Sequence, residues 1–263
     1  MGFLSDVRDR WRRIGIFSIA ANNYEPAKAY TASLSSEVAR WRRERGIAII
    51  AEYKRASPTG IIDLGLDIRD YYYQLQSYVA GFSVIVEREW FSGSPEYIGM
   101  LRRLGWSGPV LAKGFVFYKD QIDIYRNAGA SSVLLIAEAL DPVELRDLYV
   151  YSESLGLEPL VEVGSIGTLD TVMRTLSPRI VGVNSRDLET LEVSVNNMLG
   201  IIKYAKNEYP DLLIVAESGM KDLDDIWRAR ESGADACLIG TGLVRRSDRA
   251  EMLSKLYSTL KRA

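Results

Sequence analysis

The chain contains no histidine and a single cysteine, and these two shortages exclude several common kinds of catalytic site. Imidazole is the usual proton shuttle near neutral pH, so Ser-His and Cys-His nucleophile pairs and most zinc sites are ruled out. A single cysteine excludes both an internal disulfide framework and a cysteine-rich metal site. Cys237 lies within an apolar run, where we expect core packing. Any acid–base chemistry must therefore use Lys, Glu, Asp or Tyr.

The chain also lacks a long apolar run and a strong net charge. No run reaches the roughly 18 apolar residues that suggest a membrane span. The basic and apolar stretch at 8–21 is a poor signal peptide, because its apolar part is short and Asp6 and Asp9 spoil its basic region, so we expect a cytoplasmic protein. The net charge of −2 gives no global field that would favour nucleic acid or an anionic membrane.

What the chain has in abundance is short apolar runs that end on a charged or polar residue. Such runs, bounded by turn residues, predict buried strands. We predict strands at 47–53, 82–87, 109–113, 132–137, 159–163, 180–184, 212–217 and 236–240. We predict helices between and after them at 68–79, 96–104, 119–128, 142–155, 166–176, 195–208, 223–232 and 250–260.

This alternation predicts an α/β fold, a (β/α)8 barrel. Alternation alone also fits a doubly wound open sheet, but the count of strands and the lack of a Gly-x-Gly-x-x-Gly turn after the first strand favour the barrel. Residues 1–45 are amphipathic and predict a helical extension packed on the barrel, with Trp11 and Trp41 among its apolar anchors. No Pro/Gly/Ser-rich linker divides the chain, so we expect one domain over 1–263.

Polar side chains collect at the carboxyl ends of the predicted strands, where a barrel places its active site. They are Glu52, Lys54, Glu87, Lys113, Glu162, Asn184, Arg186, Glu217 and Ser218. Glu52 and Lys54 are two residues apart, so both side chains face the same side of their strand. A buried Lys–Glu network that merely closes the barrel is the alternative, but cations and carboxylates from several strands favour chemistry.

These groups could supply acid–base catalysis without histidine. We expect partial desolvation beside other cations to lower the pKa of the lysines, and apolar surroundings to raise the pKa of the carboxylates. A general acid and a general base would then coexist near neutral pH.

Two glycine-containing turns follow the last two predicted strands. They are Ala216-Glu-Ser-Gly219 and Ile239-Gly-Thr-Gly242. Loops at these positions of a barrel often bind phosphate through backbone N–H groups, and glycine lets the backbone approach closely. Each turn alone could be only a tight turn, but together they indicate a phosphate site. Ser57, in Ser57-Pro-Thr-Gly60, either adds a hydroxyl donor or belongs to a plain surface turn.

The strand-end motifs resemble those of the indole-3-glycerol phosphate synthases, which close the indole ring in tryptophan biosynthesis. The resemblance covers all predicted strands in order and runs through 49–60, 91–94, 111–115, 133–136, 159–163, 182–188, 215–219 and 238–242. It implies a carboxy-lyase that converts 1-(2-carboxyphenylamino)-1-deoxyribulose 5-phosphate into indole-3-glycerol phosphate, carbon dioxide and water. It also implies that neither a metal nor a cofactor takes part.

The resemblance further implies roles for individual residues. Lys113 would be the general acid that protonates the substrate ketone, and Lys54 would contact the substrate carboxylate and donate a proton in the dehydration. Glu162 would stabilise positive charge on the anilino nitrogen or act as base, and Glu52 would be an acid–base partner of Lys54. Asn184 would position the substrate. Further implied contacts are Arg186 and Glu217 beside Asn184, Ser57, Ser218, Gly219, Gly240 and Thr241 at the phosphate, and Phe115 and Leu135 at the anthranilate ring.

One position departs from the family pattern, and it bears on the alternatives. The residue after the catalytic lysine is usually aspartate and here is Gly114, so we expect Glu52 or Glu162 to position Lys113 instead. A Schiff-base lyase acting on a phosphorylated keto sugar and a non-catalytic phosphosugar binder remain open. We expect a monomer with a small phosphorylated substrate and no nucleic-acid or membrane partner. Scarce Gln, His and Cys beside abundant Arg, Glu and Ile hint at a thermophile.

Overall fold

The computed structural model describes residues 3–14, 32–186 and 192–260. Its strands are β1 Ala48–Tyr53, β2 Ala56–Ser57, β3 Gly60–Ile61, β4 Gly81–Ile85, β5 Val110–Lys113, β6 Ser132–Ile136, β7 Glu158–Val163, β8 Ile180–Asn184, β9 Leu213–Glu217 and β10 Ala236–Ile239. Its helices are α1 Phe3–Ile14, α2 Leu34–Arg45, α3 Ile68–Leu75, α4 Glu96–Arg103, α5 Lys119–Asn127, α6 Pro142–Ser154, α7 Ile166–Thr175, α8 Val195–Glu208, α9 Leu223–Glu231, α10 Thr241–Val244 and α11 Arg249–Leu260, with a 3-10 turn at Ala137–Ala139.

Eight parallel strands close into a barrel in the order β1-β10-β9-β8-β7-β6-β5-β4. The barrel closes because β1 pairs in parallel with both β10 and β4. The strands read as continuous apolar runs because one face fills the barrel and the other packs on the helices, which leaves neither face in water. The predicted (β/α)8 barrel is therefore confirmed, and the open sheet is excluded.

Side-chain caps fix where several of the helices begin. The carboxylate of Asp141 accepts hydrogen bonds from the N–H groups of Val143 and Glu144, and Pro142 occupies the first turn of α6. The side chain of Asp222 accepts from the N–H groups of Asp224 and Asp225 at the start of α9.

Three short elements were not predicted from the sequence. They are the β2–β3 hairpin, the 3-10 turn and α10, and all three follow strands at the carboxyl end of the barrel. Runs of two to four residues carry no hydrophobic period, so local sequence cannot identify them. The helix predicted over 68–79 is also shorter than expected, since α3 ends at Leu75.

The two N-terminal helices contact opposite ends of the barrel. In α1, Trp11 donates a hydrogen bond from Nε1 to Glu87 Oε2 at 3.3 Å, beyond the carboxyl end of β4. In α2, Arg42 pairs with Asp235 at 2.8 Å, before the amino end of β10. Residues 15–31, part of the predicted extension, lie outside the described residues. Within the described ranges, no helix combines the length and apolarity that crossing a membrane requires.

Candidate active site

The carboxyl ends of the barrel strands surround a cavity of about 660 Å³. The sequence-predicted site residues that line it are Glu52, Lys54, Ser57, Lys113, Phe115, Glu162, Asn184, Arg186, Ser218, Gly219, Gly240 and Thr241. These residues come from β1, β2, β5, β7 and β8, from the start of α10 and from the loops that follow strands. The convergence expected from the strand endings is thus realised in one cavity, which has the size usual for small-molecule sites.

Two predicted residues occupy other positions. Leu135 is fully buried but does not line the cavity, whereas its neighbours Leu134 and Ile136 do. Side chains alternate along a strand, so the prediction that Leu135 walls the cavity is off by one residue. Glu217 is also fully buried and lies behind Lys113 rather than on the cavity surface, which makes it a support for the lysine and not a surface for substrate.

Lys113 is surrounded by carboxylates at the floor of the cavity. Its Nζ lies 3.4 Å from Glu217 Oε2, 3.7 Å from Glu52 Oε2 and 3.7 Å from Glu162 Oε2. Burial by itself would lower the pKa of Lys113, but the three carboxylates outweigh burial and hold the pKa above its ordinary value. The expectation of a lowered lysine pKa is therefore wrong at this position, because the nearest charges are anions and not cations.

Glu52 links the two lysines. Its Oε1 pairs with Lys54 Nζ at 2.8 Å, while its other oxygen faces Lys113. Burial would raise the pKa of Glu52, but the two ammonium groups outweigh burial and lower it, so this carboxyl is ionised at neutral pH. The Tyr71 hydroxyl donates to the backbone oxygen of Glu52 at 3.0 Å and fixes the end of β1.

Asn184 orients Glu162 from the neighbouring strand. Its Nδ2 donates to Glu162 Oε1 at 2.9 Å, and its Oδ1 accepts from the backbone N–H of Arg186 at 2.9 Å. One amide therefore sets both the direction of a cavity carboxylate and the turn that carries Arg186 into the cavity wall. Residues 187–191, which include the last two residues of the 182–188 motif, lie outside the described part of the chain.

Glu217 occupies an unusual environment for a carboxyl group. Apart from its ion pair with Lys113, neither oxygen accepts a hydrogen bond from an N–H or hydroxyl donor among the described residues. Burial raises the pKa of Glu217 well above its ordinary value; Lys113 opposes this, and the nearby carboxyl of Glu162 adds to it. Glu217 therefore gives up its proton less readily than an ordinary carboxyl group does.

The loops after β9 and β10 form the other end of the cavity. Ser218 and Gly219 both have positive φ angles, 64° and 74°, which is costly for serine and common at binding sites. Gly240 lies against the Glu52–Lys54 pair, and a Cβ there would come within 3.1 Å of Lys54 Nζ and overlap Glu52 Oε1. Ser57 lies in the β2–β3 hairpin, where its hydroxyl is 3.0 Å from that of Thr59.

Sequence reasoning did not select several residues that line the cavity. Three are basic and lie in or after the loops that follow β9 and β10, namely Lys221, Arg245 and Arg246. Phe91 lines the cavity opposite Phe115 with ring centroids 6.3 Å apart. Glu87, which was predicted at a strand end, also lines the cavity, beside α1. The two arginines closely follow a glycine turn in the sequence, so they could have been predicted. The contact of Trp11 with Glu87 joins distant parts of the chain, so no local pattern predicts it.

Among the described residues, no cluster of three or more Cys, Asp or Glu side chains is arranged to hold a metal ion. The cavity instead combines two ammonium groups, three carboxylates, an aromatic wall and a basic loop region. Such a set can bind a small anionic aromatic molecule and can move protons to and from it.

Comparison with known proteins identifies relatives over most of the chain. A sequence model of the indole-3-glycerol phosphate synthase family matches residues 5–256. An indole-3-glycerol phosphate synthase from Aeropyrum pernix is 38% identical over 246 residues, which cover 93% of each chain. One from Chlorobaculum tepidum is 41% identical over 207 residues, 77% of this chain and 78% of the relative.

Solved structures of more distant proteins share the barrel alone. A crystal structure of 3-hexulose-6-phosphate synthase superposes with a TM-score of 0.65 at 14% identity, covering 81% of this chain and 99% of that one. Since that likeness reaches only the fold, the sequence match is what assigns the family. With the family match spanning the barrel and the strand-end residues gathered in one cavity, the chain belongs to the indole-3-glycerol phosphate synthase family.

Proposed function

We propose that Lys113 and Lys54 are the general acids of this enzyme, and that Glu162 and Glu52 are their carboxylate partners. The chain is a ring-closing, decarboxylating carbon–carbon lyase of tryptophan biosynthesis, which forms indole-3-glycerol phosphate from 1-(2-carboxyphenylamino)-1-deoxyribulose 5-phosphate. The observation that supports the residue roles most is the buried ammonium of Lys113, held among three carboxylates at the cavity floor.

Ring closure joins the ring carbon that bears the carboxylate to the ketone carbon, and the ketone oxygen gains negative charge. An ammonium with a raised pKa stays protonated at neutral pH and attracts that oxygen throughout the step. It can still release its proton, because the alkoxide that forms is about as strong a base as hydroxide. Lys113 thus supports the reaction both as a fixed positive charge and as a donor.

The later steps require a carboxylate near positive charge and a second donor. Glu162, oriented by Asn184, is suited to stabilise the positive charge on the anilino nitrogen. That charge is cancelled when carbon dioxide leaves and its bonding electron pair stays in the ring. Dehydration needs a proton on the departing hydroxyl and removal of a proton from the ring system. Lys54 and Glu52, in contact at 2.8 Å, can supply the donor and the acceptor.

The two anionic groups of the substrate would bind at separate parts of the cavity. We propose that Lys54 and Arg186 meet the carboxylate, and that Phe115 with Phe91 walls the anthranilate ring. The phosphate would lie at the basic loop end, where the contacts we propose are Ser57, Ser218, Gly219, Gly240 and Thr241, with Lys221 and Arg245 adding positive charge. Fixing both ends holds the two reacting carbons together and lowers the barrier by orientation.

We propose a single barrel domain over 1–263 with an extension over 1–45, acting as a cytoplasmic monomer of a thermophilic organism without nucleic-acid or membrane partners. The net charge of −2 supports the absence of a polyanionic partner. Light scattering on a gel-filtration column would give the mass in solution, and a dimer mass would contradict the monomer.

The role of Lys113 is tested by replacing it. We expect Lys113→Ala to lower kcat by roughly 10³-fold with a much smaller change in KM, because general acid catalysis contributes about 10²–10⁴-fold. The increase in indole fluorescence as substrate is converted measures the rate. Lys119→Ala removes a lysine from the surface of α5 and is the matched control, expected to leave the rate unchanged. A Lys113→Ala enzyme with near-normal kcat would contradict the assignment.

The two alternative functions give different results. A Schiff-base lyase would form an adduct at Lys113 or Lys54 when borohydride is added with a phosphorylated keto sugar, but the raised pKa of Lys113 keeps that amine protonated and not nucleophilic. A non-catalytic binder would bind substrate without turnover, and Lys113→Ala would leave its affinity intact.

A further inference from the structure

The backbone conformation at position 182 does not require glycine. Gly182 lies in the middle of β8, pairs in regular parallel register with Glu162 of β7 and Val215 of β9, and is not among the residues with positive φ. Glycine weakens a strand interior unless something must approach the backbone closely. We therefore expect another group to occupy the space that a side chain at position 182 would need.

The group in that space is the carboxyl of Glu217. A Cβ on Gly182 would lie 3.0 Å from Cδ of Glu217 and would overlap its Oε1. The barrel order places β8 between β7 and β9, so Gly182 also leaves a gap between the side chains of Glu162 and Glu217. Across this gap the two carboxyls approach each other, and both lie within 3.7 Å of Lys113 Nζ.

We propose that Gly182 is a positioning residue, whose missing side chain lets the Glu217 carboxyl lie beneath Lys113 and hold its ammonium in line with the reacting oxygen. The inference rests on the proposed role of Lys113 as general acid. Any side chain at position 182 would push Glu217 aside, and Lys113 would lose the carboxyl group nearest to its ammonium, at 3.4 Å. The lysine would then face the cavity from a different position.

The first test is Gly182→Ala, measured by the rate of indole formation. A misplacement of about 1 Å at a catalytic group can cost roughly 10²-fold, so we expect a loss of this order in kcat. KM should change far less, because Glu217 does not line the cavity and the binding groups remain in place. Gly200→Ala is the matched control: this helix position has no atom within 4 Å of a new Cβ, and we expect no loss of activity.

A double-mutant cycle shows whether the loss passes through Glu217. Glu217→Asp shortens the side chain by one methylene and vacates the space over Gly182. We expect Gly182→Ala to cost roughly 10²-fold in the native background but almost nothing when Glu217→Asp is already present, because residues in direct contact are not additive. Equal losses in both backgrounds would overturn the proposal, as would full activity of Gly182→Ala alone.

Two further measurements distinguish a failure of the Gly182 proposal from a folding defect and from a wrong role for Lys113. If Gly182→Ala does not fold, the double variant decides: a folded double variant supports the overlap with Glu217, and an unfolded one overturns it. Lys113→Ala is assayed in parallel. An active Lys113→Ala enzyme refutes the role of the lysine, whereas an inactive one beside an unimpaired Gly182→Ala refutes only the role of Gly182.

Discussion

At the scale of single residues, the neighbourhood of Gly114 explains how the chain does without the aspartate that the family usually has there. A Cβ on Gly114 would lie 2.8 Å from Cγ2 of Val86, which is buried beside it. The space that a side chain would need is thus already filled. Lys113 is held from other strands by Glu52, Glu162 and Glu217, so the adjacent carboxylate is not required.

Restoring the family residue should therefore harm this chain. We expect Gly114→Asp to lower the free energy of unfolding by about 1–3 kcal/mol, the usual cost of overpacking. Val86→Ala removes the obstructing methyl groups, so Gly114→Asp should cost much less in that background. Denaturant unfolding of the two single variants and the double variant measures this. The same cost in both backgrounds would show that Val86 is not the obstacle.

The carboxyl of Glu217 predicts a pH-dependent stability. Its folded pKa is raised well above the ordinary 4.5, so the folded state retains a proton that the unfolded chain releases, and stability is lost as pH rises above 4.5 toward the folded pKa. Glu217→Gln removes this titration. We expect the variant to unfold at higher denaturant concentration than the native chain near neutral pH, with the difference vanishing below pH 4.5. A difference that does not change with pH would contradict the raised pKa.

At the scale of elements, the barrel strands could be predicted because each is a short apolar run with turn residues at its ends. The run 180–184 became β8 with the same bounds, and 212–217 became β9 within one residue. The β2–β3 hairpin could not be predicted, because two-residue strands are held by a few local contacts and leave no periodic pattern.

The candidate site was predictable to the extent that it depends on strand ends. Parallel strands bring their carboxyl ends together, so Lys54, Lys113 and Glu162 could be assigned to one cavity without coordinates. Distances across the barrel are set by packing and not by spacing along the chain. The pKa of Lys113, the place of Glu217 behind it and the inward side of β6 therefore emerged only from the fold.

The contact of α1 with the barrel belongs to this scale as well. Trp11 is buried and donates to Glu87, Arg8 pairs with Glu144, and Val7 is fully buried. We expect Trp11→Ala to remove about 3–5 kcal/mol of packing free energy between α1 and the barrel. A single helix is not expected to stay attached after a loss of that size. The barrel should stay folded while α1 detaches, and cleavage within α1 by a protease should become faster.

Trp11→Phe is the control, since it keeps a six-membered aromatic ring in place and loses the N–H donor and the five-membered ring. We expect it to lose the hydrogen bond, worth about 0.5–1.5 kcal/mol, and only part of the packing, and to leave α1 largely protected. Because Glu87 lines the cavity, detachment of α1 should also raise KM. Unchanged proteolysis of Trp11→Ala would show that the contact does not hold the helix.

At the scale of the whole molecule, charges at the two ends of the barrel serve different purposes. The carboxyl end gathers lysines and carboxylates around a cavity. The amino end has a buried cluster in which Asp235, fully buried, pairs with Arg42 at 2.8 Å and Lys206 at 2.6 Å and accepts from the Ile214 N–H at 2.7 Å. This cluster connects α2, α8 and β9 and lies away from the cavity, so its contribution is to stability.

Removing the charge of Asp235 should therefore separate stability from activity. We expect Asp235→Asn to lower the free energy of unfolding by roughly 3 kcal/mol, the lower end of the range for breaking a buried ion pair, since Arg42 is half exposed. Asparagine keeps the oxygen that accepts from Ile214, but it leaves both cations without their anion. The kcat and KM should be unchanged at temperatures where the variant is folded, as measured by indole fluorescence beside a denaturant melt. A fall in kcat with unchanged stability would mean that the amino end of the barrel acts on the chemistry, against the separation of the two ends.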